Sequence, residues 1–204
     1  LYRMTARAPL TIEQVKTKLA NFAPKSLPKP ENFHYAAVLI LLAARPDGLH
    51  VLLCERASDD PRDVHRGQVS LPGGRQDPED SDILATALRE ANEEVGLDRS
   101  RVEILGQLGD FLTISNYHVT PFVAVIDSFD GLKPTSSEIA QTFSFPLEKM
   151  RDPTKVIRIA WDSLLGDGTS TKRKPTEILF VVHDRHLVWG ATARILNNLV
   201  ELFT

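Results

Sequence analysis

Three glutamates crowd one short stretch of the sequence. Glu93 and Glu94 follow Glu90 by three and four positions, so in a helix the three carboxylates share one face within about one turn. Like charges this close repel each other and destabilise the chain unless a cation lies among them. Carboxylate oxygens suit Mg²⁺ or Mn²⁺ better than zinc, which prefers Cys and His. The cluster indicates either a divalent-metal site or a solvated helix face on which Arg89 pairs with Glu93.

A glycine turn and an acidic stretch precede these glutamates. Residues 71–74, Leu-Pro-Gly-Gly, predict a tight turn whose backbone can approach a ligand or offer a carbonyl to a metal. Acidic residues follow within 77–82, and residues 89–97 then have the sequence Arg-Glu-Ala-Asn-Glu-Glu-Val-Gly-Leu. Together they resemble the Nudix box, in which a glycine and an acidic residue precede Arg-Glu-apolar-x-Glu-Glu-x-Gly-apolar. The second half of the box matches at every position.

The first half of the box differs slightly from the general pattern. From Gly74 to Arg89 there is one residue more than usual, and either Asp80 or Ser81 stands where the family has a glutamate. The metal-binding half is unaffected, so the difference concerns the geometry of the loop rather than the activity.

The resemblance implies a set of roles for these residues. Glu90 and Glu94 would hold Mg²⁺ or Mn²⁺ with the Gly74 carbonyl, and Glu93 would bind a further ion or deprotonate water. Nudix enzymes often take another acidic residue from a downstream loop, for which Glu138 is the candidate; the alternative is that Glu138 caps a helix. Structural support would come from the three residues Gly73, Arg89 and Gly96.

Four further segments resemble the coenzyme A pyrophosphatase branch of the family. They are residues 52–57, 65–74, 117–121 and 189–193, with Cys54, Arg62 and Leu71 departing from the usual signature. This branch cleaves coenzyme A, or its acyl derivatives, to 3′,5′-ADP and the (acyl-)4′-phosphopantetheine. The substrate phosphates would require cationic ligands, and the candidates are Arg56, Arg62, His65 and Arg66.

Two other functions stay open at this point. One is a Nudix hydrolase of another nucleoside diphosphate derivative, such as ADP-ribose, NADH or a dinucleoside polyphosphate. The other is a Nudix module that binds a nucleotide without cutting it, although such a sensor has no need of three crowded carboxylates. Trp189 could stack on an adenine or lie in the core, whereas His118 is expected to be a hydrogen-bonded strand residue and Cys54 an inert one.

Composition limits the class of protein. The chain has 204 residues and a net charge of −3, which disfavours nucleic-acid binding and predicts a small-molecule partner, with a homodimer possible. Its single cysteine excludes an intramolecular disulfide and fits a reducing compartment. The longest apolar run, residues 36–44, is far shorter than the ~20 residues of a membrane span. No targeting signal is visible, so an intracellular location, cytoplasmic or in an organelle matrix, is expected.

The elements that must position these residues follow from periodicity and turn signals. Residues 1–30 are expected to form an N-terminal helix (11–22) and a proline-rich link, and residues 31–204 the Nudix domain. A long loop is expected over 57–78, and Pro121 indicates an edge strand or bulge. A layered α+β fold is predicted, the Nudix-type α/β/α sandwich with a mixed sheet between helices. Its other elements are strands at 34–44, 49–55, 101–112, 117–126, 155–161 and 177–183, a helical turn at 146–150, and helices at 79–97 and 190–203.

Overall fold

A mixed β-sheet forms the centre of the molecule. The structure, a computed structural model, describes residues 8–28, 30–57, 67–160 and 177–204. Within these ranges eight strands form the main sheet, with the central order β3-β2-β1-β7-β5; β4 also pairs with β1, β6 with β7, and β8 with β2. Their bounds are β1 His34–Arg45, β2 Gly48–Arg56, β3 Val69–Ser70, β4 Gly73–Arg75, β5 Glu103–Gln107, β6 Phe111–Leu112, β7 Tyr117–Val125 and β8 Ile139–Pro146.

The central strand pair explains the long apolar runs of the sequence. β1 pairs in parallel with β7 and antiparallel with β2, and the hairpin between β1 and β2 closes at the Arg45–Gly48 pair. Strands in this position are covered on both faces, so they lack the alternation of a half-exposed strand. Both faces of β1 are covered, because Leu39, Ile40, Leu41 and Leu42 are all fully buried.

Helices cover both faces of the sheet. They are α1 Ile12–Ala20, α2 Ile83–Val95, α3 Glu148–Arg151 and α4 Gly190–Glu201, with a 3₁₀ turn at Arg99–Arg101. One face of the sheet, including Leu39, Leu41 and Leu52, packs against α2. The opposite face, which includes Ile40, packs with α1 and α4. The predicted α+β sandwich is therefore confirmed, and no helix among the described residues is long and apolar enough to cross a membrane.

A second, smaller sheet lies beside α4. Its strands are β9 Val156–Ala160, β10 Glu177–His183 and β11 His186–Trp189, all antiparallel. The inward side chains Leu179, Val181 and Val188 are buried in the same core as α4. Trp161, predicted to share a face with Ile157, lies outside the described residues.

Local side chains cap α1 and α2, which are both shorter than the helices predicted at 11–22 and 79–97. Thr11 and Gln14 form a capping box at the start of α1. The side chain of Asp82 accepts a hydrogen bond of 2.7 Å from the backbone N–H of Ala85, and α2 ends at Gly96 in the left-handed conformation. α1 packs on the central core through Val15 and Leu19.

The structure corrects several predicted elements. The segment predicted as one long loop contains β3 and β4, and the single predicted strand at 101–112 is divided into β5 and β6. β8 and β11 were not predicted. Pro121 was predicted to mark an edge strand or a bulge, and the edge position is wrong, because β7 lies between β1 and β5. The β5–β7 pairing does contain a register irregularity, between Ile104 and Gly106. A proline is tolerated at position 121 because of the side of β7 to which its backbone turns. Its carbonyl accepts from the N–H of Leu108 and so faces the gap between β5 and β6. The N–H that proline lacks would face the same gap, where the strand pairing is interrupted anyway.

Candidate active site

The glycine turn brings backbone against two carboxylates of α2. The N–H of Gly73 donates to Oε2 of Glu94 at 3.0 Å. A Cβ at Gly74 would lie 2.6 Å from Cδ of Glu90, and a Cβ at Gly73 would lie 2.2 Å from the carbonyl oxygen of Ala37. Both positions therefore require glycine, the first to admit the Glu90 carboxylate and the second, at φ 144°, to let β4 pair with β1.

Burial shifts the acidity of both carboxyl groups. Glu94 is only 5% exposed, and burial, reinforced by the charges of Glu90 and Glu138, raises the pKa of its carboxyl to about 7. The Gly73 N–H and the Arg56 guanidinium oppose this shift. Burial also raises the pKa of Glu90. Two carboxylates held together away from water gain strongly from a neighbouring cation.

Glu93 points elsewhere in this conformation. Its carboxylate is exposed and lies 3.1 Å from Nη1 of Arg89, which also contacts Oε1 of Glu90 at 3.1 Å. Over the described ranges, no three Asp, Glu, His or Cys side chains converge into a ready-made ion site. The arrangement that does form is Glu90 and Glu94 around the Gly73–Gly74 backbone. This donor set fits Mg²⁺ or Mn²⁺, because Mg²⁺ is commonly held by one or two carboxylates, waters and substrate phosphates.

Asp80, rather than Ser81, is the acidic partner of Arg89. Its Oδ1 lies 2.9 Å from Nε of Arg89 and its Oδ2 3.1 Å from Nη2, while the hydroxyl of Thr86 donates to Oδ2 at 2.8 Å. The hydrogen bond from Arg89 holds the pKa of Asp80 well below its ordinary value. Arg89 also donates to the carbonyl of Arg75 at 3.1 Å, and Ser81 is exposed. Arg89 therefore holds the loop between Gly74 and α2, which is one residue longer than usual, against the helix.

Arg56 and Glu138 meet beside the carboxylate pair. Nη2 of Arg56 lies 3.4 Å from Oε2 of Glu138, and the backbone N–H of Ala57 donates to the carbonyl of Glu138 at 2.7 Å. The alternative that Glu138 caps a helix is wrong, because it directly precedes strand β8. The other cationic candidates, Arg62, His65 and Arg66, lie outside the described residues.

The structure also places three other residues that were singled out in the sequence. His118 is 3% exposed in β7, with Nε2 3.4 Å from the carbonyl of Leu27 and 3.5 Å from Oδ2 of Asp110. Cys54 is buried, and burial raises the pKa of its thiol far above the ordinary value. Trp189 stacks on Phe180 with 6.0 Å between ring centroids, so this face of the indole is already covered by protein.

The structure also shows a cluster of polar side chains that was not predicted, formed by Glu55, Gln141 and His186. Nε2 of His186 lies 3.1 Å from Oε2 of Glu55, and the amide of Gln141 bonds to both groups. The His186 ring stacks on Phe143 at 3.9 Å between centroids. Since these residues come from β2, β8 and β11, no local sequence signal could have joined them.

Comparison with known proteins identifies the family. The family model described as NUDIX domain matches residues 33–163. The chain belongs to the Nudix hydrolase family. This Nudix hydrolase is 35% identical over 178 residues to the Nudix hydrolase NudL of Yersinia enterocolitica, covering 85% of this chain and 86% of the relative. Its identity to NudL of Photorhabdus laumondii is also 35% over 178 residues, covering 87% and 88% of the two chains.

Solved structures agree on the fold of this Nudix hydrolase. A MutT/nudix family protein from Enterococcus faecalis aligns with a TM-score of 0.53 and 16% identity, over 95% of this chain and 74% of that one. Nudix hydrolases generally use divalent cations such as Mg²⁺ or Mn²⁺. The pairing of Glu90 and Glu94 beside Gly74 is consistent with that requirement.

Proposed function

We propose that the protein is a metal-dependent pyrophosphatase that hydrolyses the diphosphate of coenzyme A and acyl-CoA. The products would be 3′,5′-ADP and (acyl-)4′-phosphopantetheine. The observation that carries the proposal is that the described parts of three of the four segments resembling the coenzyme A branch are hydrogen-bonded to one another and lead to the glycine turn beside the carboxylates of the Nudix helix.

The contacts between these segments are hydrogen bonds to backbone groups. The N–H of Arg56 donates to the carbonyl of Gln68 at 2.9 Å, and the N–H of Gly67 donates back to the carbonyl of Arg56 at 2.9 Å. The hydroxyl of Thr192, from the segment 189–193, donates to the carbonyl of Val69 at 2.9 Å. Two neighbouring segments and a third, at 189–193, that is distant in sequence therefore form one structural unit, which leads directly into the Gly73–Gly74 turn.

The charges near this unit suit a substrate with several phosphates. Arg56 is partly buried and pairs with Glu138, and its guanidinium opposes the rise in the pKa of Glu94. Arginine binds phosphate through two parallel hydrogen bonds. Arg62, His65 and Arg66 follow in the same signature and are proposed as further phosphate ligands, which would serve the 3′-phosphate of coenzyme A as well as its diphosphate.

The side chains of the site have separable roles in the proposed reaction. Glu90 and Glu94, with the Gly74 carbonyl, would hold the divalent cation. When bound, such an ion screens the diphosphate charge and acidifies a bound water. Arg89 keeps Glu90 in place through the 3.1 Å contact and is itself fixed by Asp80.

Two exposed carboxylates are candidates for the general base. Glu93 lies beside Arg89 and Glu138 beside Arg56, and both reach solvent. Either could take a proton from the attacking water, because an accessible carboxylate beside the diphosphate would be within the reach that a general base needs. Binding of substrate phosphates by Arg56 would release Glu138 from its ion pair. No covalent intermediate is needed, so positioning and charge stabilisation would supply the catalysis.

A substrate panel tests the proposed function. The protein is incubated with Mg²⁺ or Mn²⁺ and with coenzyme A, acetyl-CoA, ADP-ribose, NADH or a dinucleoside polyphosphate, and products are separated by chromatography. The expected result is 3′,5′-ADP with 4′-phosphopantetheine. Preferential cleavage of another compound would replace the substrate assignment, and tight binding without turnover of any would indicate a nucleotide-sensing module.

Two variants test the residue roles in the same assay. Glu93→Gln and Glu94→Gln should each lower turnover by about a hundredfold or more, because each removes a base or metal ligand. Glu13→Gln is the matched control, since Glu13 is an exposed carboxylate on α1, far along the chain from the site. Unchanged activity in both site variants would remove the metal mechanism.

A further inference from the structure

A three-residue segment before β8 is hydrogen-bonded to the end of the Nudix helix. The N–H of Lys133 donates to the carbonyl of Val95 at 3.2 Å, and the N–H of Thr135 to that of Glu94 at 3.0 Å. The hydroxyl of Thr135 donates to the carbonyl of Glu93 at 2.7 Å. These three carbonyls are among those that a helix C-terminus leaves without an internal partner. The segment therefore completes the last turn of α2 at the residues that carry its carboxylates.

The local geometry admits Thr135 closely. Gly96 ends α2 with a positive φ of 69°, and a Cβ there would lie 3.3 Å from Cγ2 of Thr135. The N–H groups of Gly96 and Leu97 satisfy the carbonyls one turn further back, at Asn92 and Ala91. The carbonyls at the end of α2 therefore receive hydrogen bonds from two sources. The chain reversal after the helix provides the donors for one set, and Lys133 and Thr135 provide the donors for the carbonyls that follow.

The same segment leads within three residues to Glu138. The backbone of Glu138 is fixed from the other side by the 2.7 Å hydrogen bond that Ala57 donates, and the next residue, Ile139, is buried against α2. The Glu138 side chain is 67% exposed and can still reorient. The position of its backbone relative to Glu93 and Glu94 is therefore determined by the hydrogen bonds of Thr135 on one side and Ala57 on the other.

We infer that Thr135 is a positioning residue, which fixes the distance between Glu138 and the carboxylates of α2 by donating its hydroxyl to the carbonyl of Glu93. This inference rests on the proposed function, in which Glu138 acts beside the metal-binding pair. Small displacements of a reacting group can change rates by up to about a hundredfold. Loss of the hydroxyl should therefore lower kcat more than it changes KM, because the residue does not touch the substrate.

The test compares Thr135→Val with Thr135→Ser. Valine keeps the shape but removes the hydroxyl, whereas serine keeps the hydroxyl. On whichever diphosphate substrate the wild-type protein cleaves, Thr135→Val should lower kcat by about tenfold with KM within twofold, and serine should restore kcat. Thr135→Ala provides a second reading if the valine side chain is not accommodated.

A matched control separates positioning from helix stability. The side-chain amide of Asn92 donates to the carbonyl of Leu97 at 3.0 Å, so Asn92→Ala weakens the same helix end without touching residues 133–135. Asn92→Ala should lower Tm about as much as Thr135→Val while leaving kcat near the wild-type value. An equal fall in kcat for both variants would show that Thr135 acts only through stability and would overturn the inference.

A double mutant tests whether the effect passes through Glu138. In a Glu138→Gln background, Thr135→Val should cause less than a twofold further loss of kcat, since the group that it positions no longer functions. Losses that multiply would refute the inference while leaving the proposed function intact. If the wild-type protein cleaves no diphosphate substrate, the proposed function fails and the inference fails with it.

Discussion

The buried carboxyl of Glu94 should make the metal-free protein less stable as the pH rises. Burial raises the pKa of this group from 4.5 to about 7, so the folded state favours its protonated form. The resulting contribution to stability is fully present below pH 4.5 and is lost as the pH rises to 7. A shift of this size corresponds to about 3 kcal/mol in the free energy of unfolding.

Urea unfolding in the presence of a chelator measures this effect. Unfolding curves are recorded for the wild-type protein and for Glu94→Gln at pH 5, 6, 7 and 8. Glutamine resembles the protonated acid and still accepts from the Gly73 N–H, so the two proteins should be similarly stable at pH 5. At pH 8 the variant should be more stable by up to about 3 kcal/mol. A difference between the two proteins that does not change with pH would refute this account of the site.

Adding the metal should reverse the order of stability. Mg²⁺ or Mn²⁺ binds the ionised carboxylate, so its affinity for the wild-type protein should rise by about tenfold per pH unit up to pH 7 and then level off. An ion at a hundred times its Kd stabilises the folded state by about 2.7 kcal/mol. Glu94→Gln should gain much less than this, whereas Glu13→Gln should respond as the wild type does. Equal stabilisation of all three proteins would place the ion elsewhere.

Three more predictions concern neighbouring residues. Gly74→Ala should reduce metal affinity and activity with little loss of stability, because its Cβ would lie 2.6 Å from a carboxylate. Gly73→Ala should instead lower the stability of the fold, because its Cβ would lie 2.2 Å from a backbone oxygen. Activity assays and urea unfolding of both variants check this. Asp80→Asn should lower the free energy of unfolding by about 3 kcal/mol, because it leaves a partly buried arginine without its main partner, while Ser81→Ala should have almost no effect. Cys54 should resist alkylation by iodoacetamide at pH 8 in the folded protein and react in urea, as mass spectrometry would show, because burial raises the pKa of its thiol.

The Nudix helix could be predicted from sequence because its signals are local. Its capping residue, its apolar positions and its terminal glycine all lie within residues 82–96, and the structure places α2 there. The hairpin of β1 and β2 was equally predictable, since the turn residues stand between two apolar runs. The spacing of Glu90, Glu93 and Glu94 indicated the chemistry, but it did not show that Arg89 contacts both Glu90 and Glu93 while Glu94 turns to the Gly73 N–H.

The choice between Asp80 and Ser81 shows where local information ended. Both residues are small, polar and close to the expected position, so sequence spacing could not separate them. The fold separates them because Arg89 can reach only a side chain that faces the helix, and Asp80 also accepts from Asp77 N–H at 2.9 Å and from the Thr86 hydroxyl. Three donors converging on one carboxylate come from the loop and the helix together.

Glu138 was harder to interpret for a related reason. Two serines followed by a glutamate are typical of a helix start, yet the segment enters β8, which pairs with β2 from His50 to Arg56. That pairing joins residues about ninety positions apart, so no local pattern could reveal it. Only the sheet register shows that Arg56 lies opposite the start of β8, where Glu138 meets it.

The distribution of charge explains why the site needs both its arginines and its backbone contacts. Glu90 and Glu94 are held close together, and Glu93 and Asp80 share Arg89, so the local charge is negative before any substrate arrives. A diphosphate would be repelled by such a surface. Binding of a divalent cation reverses the sign of this interaction, while Gly73 and Thr135 keep the helix in place whether or not the cation is present. A divalent cation held by Glu90 and Glu94 would therefore have to bind before the diphosphate or together with it, whereas the hydrogen bonds of Gly73 and Thr135 would depend on neither.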